Sequence, residues 1–346
     1  MTVIRIPLIG ACLFAATSAV PCGFHNYAPQ PTLVDRLLGS DEIVLARSAP
    51  DNAFRFEAIK TLEGNQTEVE IPQLVDSVTR RRFAVDQTTS VLFARDGDYG
   101  PWQRLALIDA AMSPVLETVM ARLPDWEVGD DRDRFAYFGS LLGHPDGRIH
   151  RLALRELDQA DYGVLRDLGL EVDPAKILRR LDDPNESDLR PVRILLLGLS
   201  GSAQARARIE AGVESSVASD GNYVGAFATA LIELAGPEAV TDIASSYLTD
   251  RNLPLFTREL LVEAVALHGR SGNPAMESAV IEAIESALWV DPAIAGAVAR
   301  QFGSRSDWTF QTSLSAMAAD GSVTDARDQQ DVVQYVTLAQ EFGDQD

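Results

Sequence analysis

Cysteine is nearly absent from this sequence of 346 residues, which contains only Cys12 and Cys22. The familiar Cys-x-x-Cys and His-Glu-x-x-His spacings are missing, and so are a Gly-x-Ser-x-Gly elbow and a phosphate-binding loop. A disulfide framework and a closed zinc site both need more ligands than this sequence supplies. We therefore predict that the chain has no catalytic residues and no cofactor.

Positive charge is also scarce, because 30 lysines and arginines stand against 51 aspartates and glutamates, a formal net charge of -21. Binding to DNA or RNA requires clustered basic residues that neutralise phosphates, and docking on anionic lipid requires the same. The composition therefore disfavours nucleic acids and membrane surfaces as partners. The one dense basic run, residues 79–82, is predicted to be a solvated helix face; a contact for an acidic partner is the alternative.

No apolar run in the sequence is long enough to span a bilayer comfortably. The apolar stretch 6–16 follows Arg5 and precedes three small residues, which is the layout of a secretory signal peptide. We predict a signal peptide over residues 1–19, export to the periplasm or the outside, and no stable membrane insertion after its removal. A lipoprotein signal that ends at Cys12, or an N-terminal anchor, is the alternative.

Removal of the signal peptide would leave one cysteine, Cys22, separated from His25 by two residues. One thiol cannot form an internal disulfide, so we expect Cys22 to be free, capped or bonded to another molecule. A thiolate and an imidazole this close together can share a soft metal ion, although two ligands do not complete a zinc site. We predict no metal site and keep Cys22 and His25 as the weak candidates for one.

From Asp41 the sequence changes to β-type patterns: residues 42–47 form a short apolar run, and residues 54–60 and 68–71 alternate apolar and polar side chains with the period of two that is typical of β-strands. The glycine-rich turn at residues 96–101 predicts an antiparallel hairpin. Five short strands in ~75 residues favour a small barrel or sandwich. A brief helix over 32–38 precedes them and an amphipathic helix over 112–123 follows. The predicted strands cover 42–47, 54–60, 68–71, 90–94 and 104–108.

Helical spacing replaces this alternation after residues 124–133, a polar segment with a proline and a glycine that we predict to be the domain boundary. Three apolar runs then end at Gly201, Gly236 and Gly269, about 35 and 33 residues apart, and a more polar helix follows each glycine. This period is typical of arrays of antiparallel helix pairs, in which a glycine past the helix end adopts the left-handed conformation. The sequence therefore predicts a superhelical array in the second half of the chain.

Apolar residues at spacings of three and four give each helix of this array one apolar face that a neighbour must cover. Leu196, Leu231 and Leu261 precede the three glycines at equivalent places, so we expect all three to be buried. The period fades towards the C-terminus. There we predict a loop over 320–331 and a last helix over 332–342 that covers the end of the array.

A turn that contains His144 connects two further predicted helices, over 134–142 and 149–157. Asp146 is placed to cap the second of them, as an N-cap acid does. His144 and His150 could meet across the turn, but no acidic ligands accompany them. We therefore predict an exposed hinge histidine rather than a metal site.

Two family resemblances accompany these patterns. Asp41-Glu42-Ile43-Val44-Leu45-Ala46-Arg47, which follows the N-terminal cysteine segment, resembles a strand of the netrin-like, inhibitor-of-metalloprotease type of OB barrel. That resemblance implies an OB barrel and an inhibitory role, although Cys22 lacks the partner that the family pattern has. The turn His144-Pro145-Asp146, followed by Arg151-Leu152-Ala153-Leu154, resembles a HEAT-type repeat. The whole arrangement also resembles exported bacterial proteins with HEAT-like repeats.

We thus predict an α+β chain of two domains, an OB/netrin-like β domain over 20–123 and a HEAT-like α-helical solenoid over 134–346. Helical arrays bind extended partners, so the predicted function is that of a non-catalytic, extra-cytoplasmic interaction protein with a protein partner. The alternative is a metal- or thiol-dependent site, or a netrin-like inhibitor, that uses the segment of Cys22 and His25.

The export prediction is tested by sequencing the N-terminus of the protein from its native source. Because the small residues before Val20 fit a signal-peptidase site, the mature chain should begin at or near Val20. A chain that begins at Met1 and stays in the cytosolic fraction contradicts the prediction.

Overall fold

A computed structural model describes residues 30–64, 69–97, 99–219 and 221–343. This part of the chain is α+β, with a small antiparallel sheet near its start and helices from Ser113 onwards. The predicted signal peptide, Cys22 and His25 lie outside the described residues. Among the residues that are described, no helix is both long and apolar enough to cross a bilayer.

The sheet has four strands in the order β2-β1-β3-β4, and each neighbouring pair is antiparallel. The hairpin predicted between the last two strands is confirmed. The predicted strand over 68–71 is wrong over its described residues, 69–71. Pro72 follows directly and has no N–H to donate to a ladder, and a single bridge between Arg55 and Leu74 is the pairing found nearby. The elements are α1 (Leu33–Leu38), β1 (Glu42–Ser48), β2 (Phe56–Glu63), α2 (Ser77–Val85), β3 (Ser90–Arg95) and β4 (Gln103–Ile108).

The inner strand β3 is buried on both faces of the sheet, which explains why it reads as a continuous apolar run. One face packs on α2 through an aromatic cluster that includes Phe83 of this helix. In the cluster, the ring centroids of Phe56 and Phe93 lie 4.8 Å apart in an edge-to-face arrangement. The other face contributes Ile43 and Leu92 to the core that the helices share. The basic run at residues 79–82 lies in α2, where Arg81 and Arg82 are exposed, as predicted, whereas Thr79 is buried and the guanidinium of Arg80 lies over the ring of Phe54.

The first helix after the sheet ends later in the chain than predicted. The helix predicted to end at residue 123 continues through Pro124 to Glu127. Trp126 is buried and donates its indole N–H to Asp133 at 2.9 Å, so tertiary packing extends the helix beyond the proline. Three residues separate it from the next helix. The elements here are α3 (Ser113–Glu127), α4 (Asp131–Ser140), α5 (Gly147–Leu157), α6 (Tyr162–Asp167), α7 (Pro174–Leu178) and a 3-10 helix (Pro184–Leu189).

The remaining helices pack in two rows. In one row α8 packs against α10, α10 against α12, α12 against α14 and α14 against α16; in the other, α11 packs against α13. The elements of this part of the chain are α8 (Arg190–Leu199), α9 (Ala203–Val217), α10 (Val224–Ala235), α11 (Pro237–Ile243) with a π-helical turn (Ala244–Leu248), α12 (Leu255–Ala266), α13 (Pro274–Val290), a 3-10 turn (Pro292–Ile294), α14 (Ala295–Gly303), α15 (Gln311–Asp320) and α16 (Ala326–Phe342).

Close packing between neighbouring helices of the row α8, α10, α12, α14 and α16 depends on small residues. A Cβ added at Gly198 would lie 2.7 Å from the Cα of Ala230, so only glycine allows α8 and α10 to approach this closely. Gly201 and Gly236 have the predicted left-handed φ values of 62° and 69°. Gly269 does not; the left-handed residue before α13 is Gly272, with φ 71°, because the turn after α12 is longer than the other two.

The end of the chain is more helical than predicted. The helix α15 was not anticipated, and α16 begins at Ala326, inside the segment predicted to be a loop. The Asp325 carboxylate caps α16 by accepting hydrogen bonds from its first backbone N–H groups. Val332 and Tyr335 are buried where α16 packs against α14, so this helix covers the end of the row.

The three leucines at equivalent places, Leu196, Leu231 and Leu261, are all buried, as predicted. Leu261→Ala should lower the free energy of unfolding by about 2–5 kcal/mol, because burial is lost and a cavity remains. Chemical denaturation measures this, and Ile281→Ala on the exposed face of α13 is the control, since Ile281 is 40% exposed. Equal effects of the two substitutions would contradict the packing described here.

Candidate functional site

The histidines singled out in the sequence do not form a shared site. The backbone N–H of Asp146 donates to Nδ1 of His144 at 3.0 Å, whereas Nδ1 of His150 lies 2.8 Å from the carbonyl oxygen of Leu142. His150 is buried rather than exposed, and burial lowers its pKa. Asp146 caps α5 as predicted. Across the described residues, no group of three or more His, Cys, Asp or Glu side chains could hold a metal ion.

A cleft of about 560 Å³ lies where the N-terminal segment, the edge strand β4 and helix α5 meet. This volume is within the range of ligand pockets in proteins. Five arginines from three separate stretches line it, in a chain whose net charge is -21. We call it the arginine cleft; its arginines are Arg36, Arg104, Arg148, Arg151 and Arg155.

Helix α5 supplies one wall of the arginine cleft. Arg148, Arg151 and Arg155 recur at spacings of three and four, which places them in one row along the helix. The opposite face of α5 is apolar and faces the core, so the row is directed outwards. The buried residues of that face include Ile149, Ala153, Leu154 and Leu157.

Two of the five arginines are engaged in ion pairs that fix the local structure. Arg148 lies 2.7 Å from Asp109 and 2.6 Å from Asp146, and these hydrogen bonds raise its pKa. Arg104 lies 2.7 Å from Asp76, the N-cap residue of α2. Each of these guanidinium groups serves to join neighbouring elements.

The other three arginines retain donors for a ligand. Among the described residues, Arg155 forms an ion pair with Asp188 at 3.1 Å, and its side chain is 61% exposed. Arg151 forms a long ion pair with Glu186 at 3.4 Å. Arg36 donates to neutral oxygens, among them the side-chain amide of Gln103 at 2.9 Å. A guanidinium group has five N–H donors, so each of the three can still form a bidentate pair with a carboxylate.

The wall formed by β4 and the start of α3 carries an apolar patch. Leu105, Ala106 and Met112 form this patch, and β4 is the edge strand of the described sheet. Leu92 pairs with Ala106 and Phe93 pairs with Arg104, so Leu105 is the extra residue of a β-bulge. Bulges at sheet edges redirect side chains and often lie beside functional sites. The cleft therefore has the arginine row of α5 on one wall and an apolar patch on the other, where Arg36 and Arg104 also lie.

A buried ion network joins the segment that leads into α1 to helices α4 and α5. Glu156 of α5 is fully buried and accepts hydrogen bonds from the Thr32 hydroxyl at 2.9 Å and the Val34 backbone N–H at 3.1 Å. Arg134 lies 2.6 Å from Glu156 and 2.7 Å from Asp35. The segment that leads into α1 is thereby fixed against α5, which positions Arg36 relative to the arginines of that helix.

A second polar cluster joins α6, α10 and the turn after α12. The Tyr162 hydroxyl donates to Glu233 at 2.6 Å, and Arg166 and His268 lie 3.3 and 3.5 Å from the same carboxylate. Burial opposes the charged form of Glu233, but its contacts with His268, Tyr162 and Arg166 outweigh burial and lower its pKa to about 2. None of these residues lines the arginine cleft, so we assign this cluster to the stability of the fold.

The sequence predictions missed the arginine cleft. Its arginines come from positions that are distant in the chain, and they are brought together by tertiary packing. The signal that was available is the spacing of Arg148, Arg151 and Arg155 on one helix face. Comparisons with protein-family models, with curated proteins and with solved structures found no match.

The lowered pKa of Glu233 predicts a pH-dependent contribution to stability. A carboxylate whose pKa falls from 4.5 to about 2 on folding stabilises the fold above the higher value, by roughly 3 kcal/mol, and loses this as pH falls towards the lower value. The free energies of unfolding of the wild type and of Glu233→Gln should therefore differ at about pH 6 and converge as the pH falls towards about 2.

Glu282→Gln is the matched control, because Glu282 is exposed on α13. Its difference from the wild type should stay small at every pH. A difference for Glu233→Gln that does not change between these pH values would contradict the assignment.

Proposed function

We propose that this chain is a non-catalytic interaction protein and that its protein partner binds in the arginine cleft. The observation that carries the proposal is the meeting of Arg36, Arg151 and Arg155, each with donors to spare, in one cleft of an otherwise acidic chain. Arginine recognises carboxylates through a planar, always charged group with two parallel N–H bonds. A partner that presents acidic side chains would accept hydrogen bonds from the remaining N–H donors of these arginines.

The helical rows support the role of a scaffold in this proposal. Each helix of the row α8, α10, α12, α14 and α16 packs on the next one along the chain. Packing between successive helix pairs is the organisation of α-solenoids, and on this ground we propose a HEAT-like array for residues 134–346. For residues 20–123 we propose an OB/netrin-like module, on the resemblance of residues 41–47 and on the antiparallel sheet.

Export forms part of the same proposal, because it determines where the partner is found. A chain with a signal peptide over residues 1–19 would meet its partner in the periplasm or outside the cell. The acidic composition favours a protein over a nucleic acid or an anionic membrane. Cys22 and His25 remain the alternative site, as a metal- or thiol-dependent centre or part of an inhibitor.

The test is affinity capture from an extra-cytoplasmic extract with four forms of the protein, followed by mass spectrometry. The forms are the wild type, Arg151→Gln with Arg155→Gln, Arg81→Gln with Arg82→Gln, and Cys22→Ser. The second pair is the matched control, since Arg81 and Arg82 are exposed and the loss of charge is the same. It also tests the alternative that residues 79–82 contact an acidic partner.

We expect the wild type, the control pair and Cys22→Ser to retain the same partner, and the cleft pair to lose it by about tenfold or more, since each charged hydrogen bond contributes roughly 1.5–3 kcal/mol. Circular dichroism and thermal unfolding establish that each variant is folded. Loss of the partner with Cys22→Ser, but not with the cleft pair, would favour the thiol or metal site instead. Equal retention by all four forms would refute a role of the cleft.

A further inference from the structure

The two walls of the arginine cleft differ in chemistry, and this difference restricts what can fill it. Arg151 and Arg155 lie on the wall formed by α5, whereas Leu105, Ala106 and Met112 lie on the wall formed by β4 and the start of α3. A simple inorganic anion would contact the guanidinium groups and leave the apolar patch in water. A ligand that uses both walls must carry negative charge on one side and apolar groups on the other.

We infer that the arginine cleft binds an extended acidic peptide in which carboxylate and apolar side chains alternate. This inference rests on the proposed function, in which a partner protein enters the cleft. Successive side chains of an extended chain point to opposite sides, so a Glu-Leu-Glu segment presents both carboxylates to one wall and the leucine to the other. Peptides bound in extended form are recognised in this way by pockets for alternate side chains.

The spacing of the arginines agrees with this arrangement. Arg151 and Arg155 are four residues apart on α5, a rise of about 6 Å along the helix. Residues two apart in an extended chain are separated by about 6.6–6.8 Å. One peptide strand can therefore place consecutive same-side carboxylates against consecutive turns of the helix, and Arg36 lies at the same cleft for a third.

Acidic groups in the lining narrow the choice of ligand further. Asp158 and Asp188 also line the cleft, and each has its own partners. A dense polyanion such as a nucleic acid would bring phosphates close to these carboxylates, which is unfavourable. An acidic peptide places charge at every second residue and an apolar side chain between, so it can match the arginines and avoid the aspartates.

The test measures the binding of defined fluorescent peptides to the full mature chain by anisotropy. The probe is Gly-Glu-Leu-Glu-Leu-Glu-Gly with blocked ends. One comparison peptide replaces leucine by serine and keeps the charge; the other replaces glutamate by glutamine and keeps the leucines. Inorganic phosphate and hexanoate serve as competitors, because they supply the anion without the peptide.

We expect the probe to bind the wild type and the control pair Arg81→Gln with Arg82→Gln equally. Binding should weaken by about tenfold or more with Arg151→Gln and Arg155→Gln together, and by a similar factor with the serine peptide, which loses apolar burial. Arg36→Gln is a further variant that preserves the ion pairs found among the described residues, where Arg36 donates to the neutral oxygens of Pro31 and Gln103. It should weaken binding by a smaller factor.

Several results would overturn the inference. If the serine peptide binds as well as the probe, the apolar patch is not used. If phosphate or hexanoate displaces the probe at similar concentrations, the ligand is a small anion or acid. If the probe does not bind while capture of the partner still depends on Arg151 and Arg155, the peptide class is wrong and the proposed function stands. If capture of the partner is also independent of Arg151 and Arg155, both this inference and the proposed function are wrong.

Discussion

The buried pair of Arg134 and Glu156 is the constraint on which the front of the molecule depends. A carboxylate removed completely from water is costly unless donors compensate it, and here Thr32, Val34 and Arg134 together supply them. Removing one partner would leave an uncompensated charge in the core. Thr32 and Val34 precede the strands of the sheet in the chain, whereas Arg134 follows them. The network therefore fixes the N-terminal segment, α4 and α5 in one arrangement. With Glu156 directed inwards, the helical period directs the arginines of α5 to the cleft.

The helical half is held together by apolar contacts and close backbone approach, to which the polar cluster around Glu233 adds. Gly198 allows α8 and α10 to meet at van der Waals distance, and each later helix covers the apolar face of the one before it. The same apolar cluster extends to Ile43 and Leu92 of the sheet. The arginine cleft therefore lies between the sheet and the helices, which share one core. Its shape does not depend on a mobile linker.

Local periodicity predicted the elements that local forces decide. Short apolar runs predicted β1 and β3, a spacing of two predicted β2, and spacings of three and four predicted the buried leucines before Gly201, Gly236 and Gly269. Failures occurred where a single residue changes the outcome. Pro72 ends the pairing expected for residues 68–71, Trp126 extends α3 past Pro124, and Asp325 begins α16 inside a segment predicted to be a loop. The cleft was not predictable, because no spacing rule relates Arg36 to Arg151 before the chain is folded.

The acidity of the chain affects what the cleft can select. The net charge of -21 repels any acidic partner, and at about 0.1 M salt this repulsion is largely screened at distances beyond about 10 Å. Inside the cleft, bidentate hydrogen bonds from the guanidinium groups act at contact distance, and the apolar patch is indifferent to charge. An acidic segment is therefore retained only if it brings both carboxylates and apolar groups to the right walls. Repulsion elsewhere on the surface then contributes to specificity, because it raises the cost of every other docking mode.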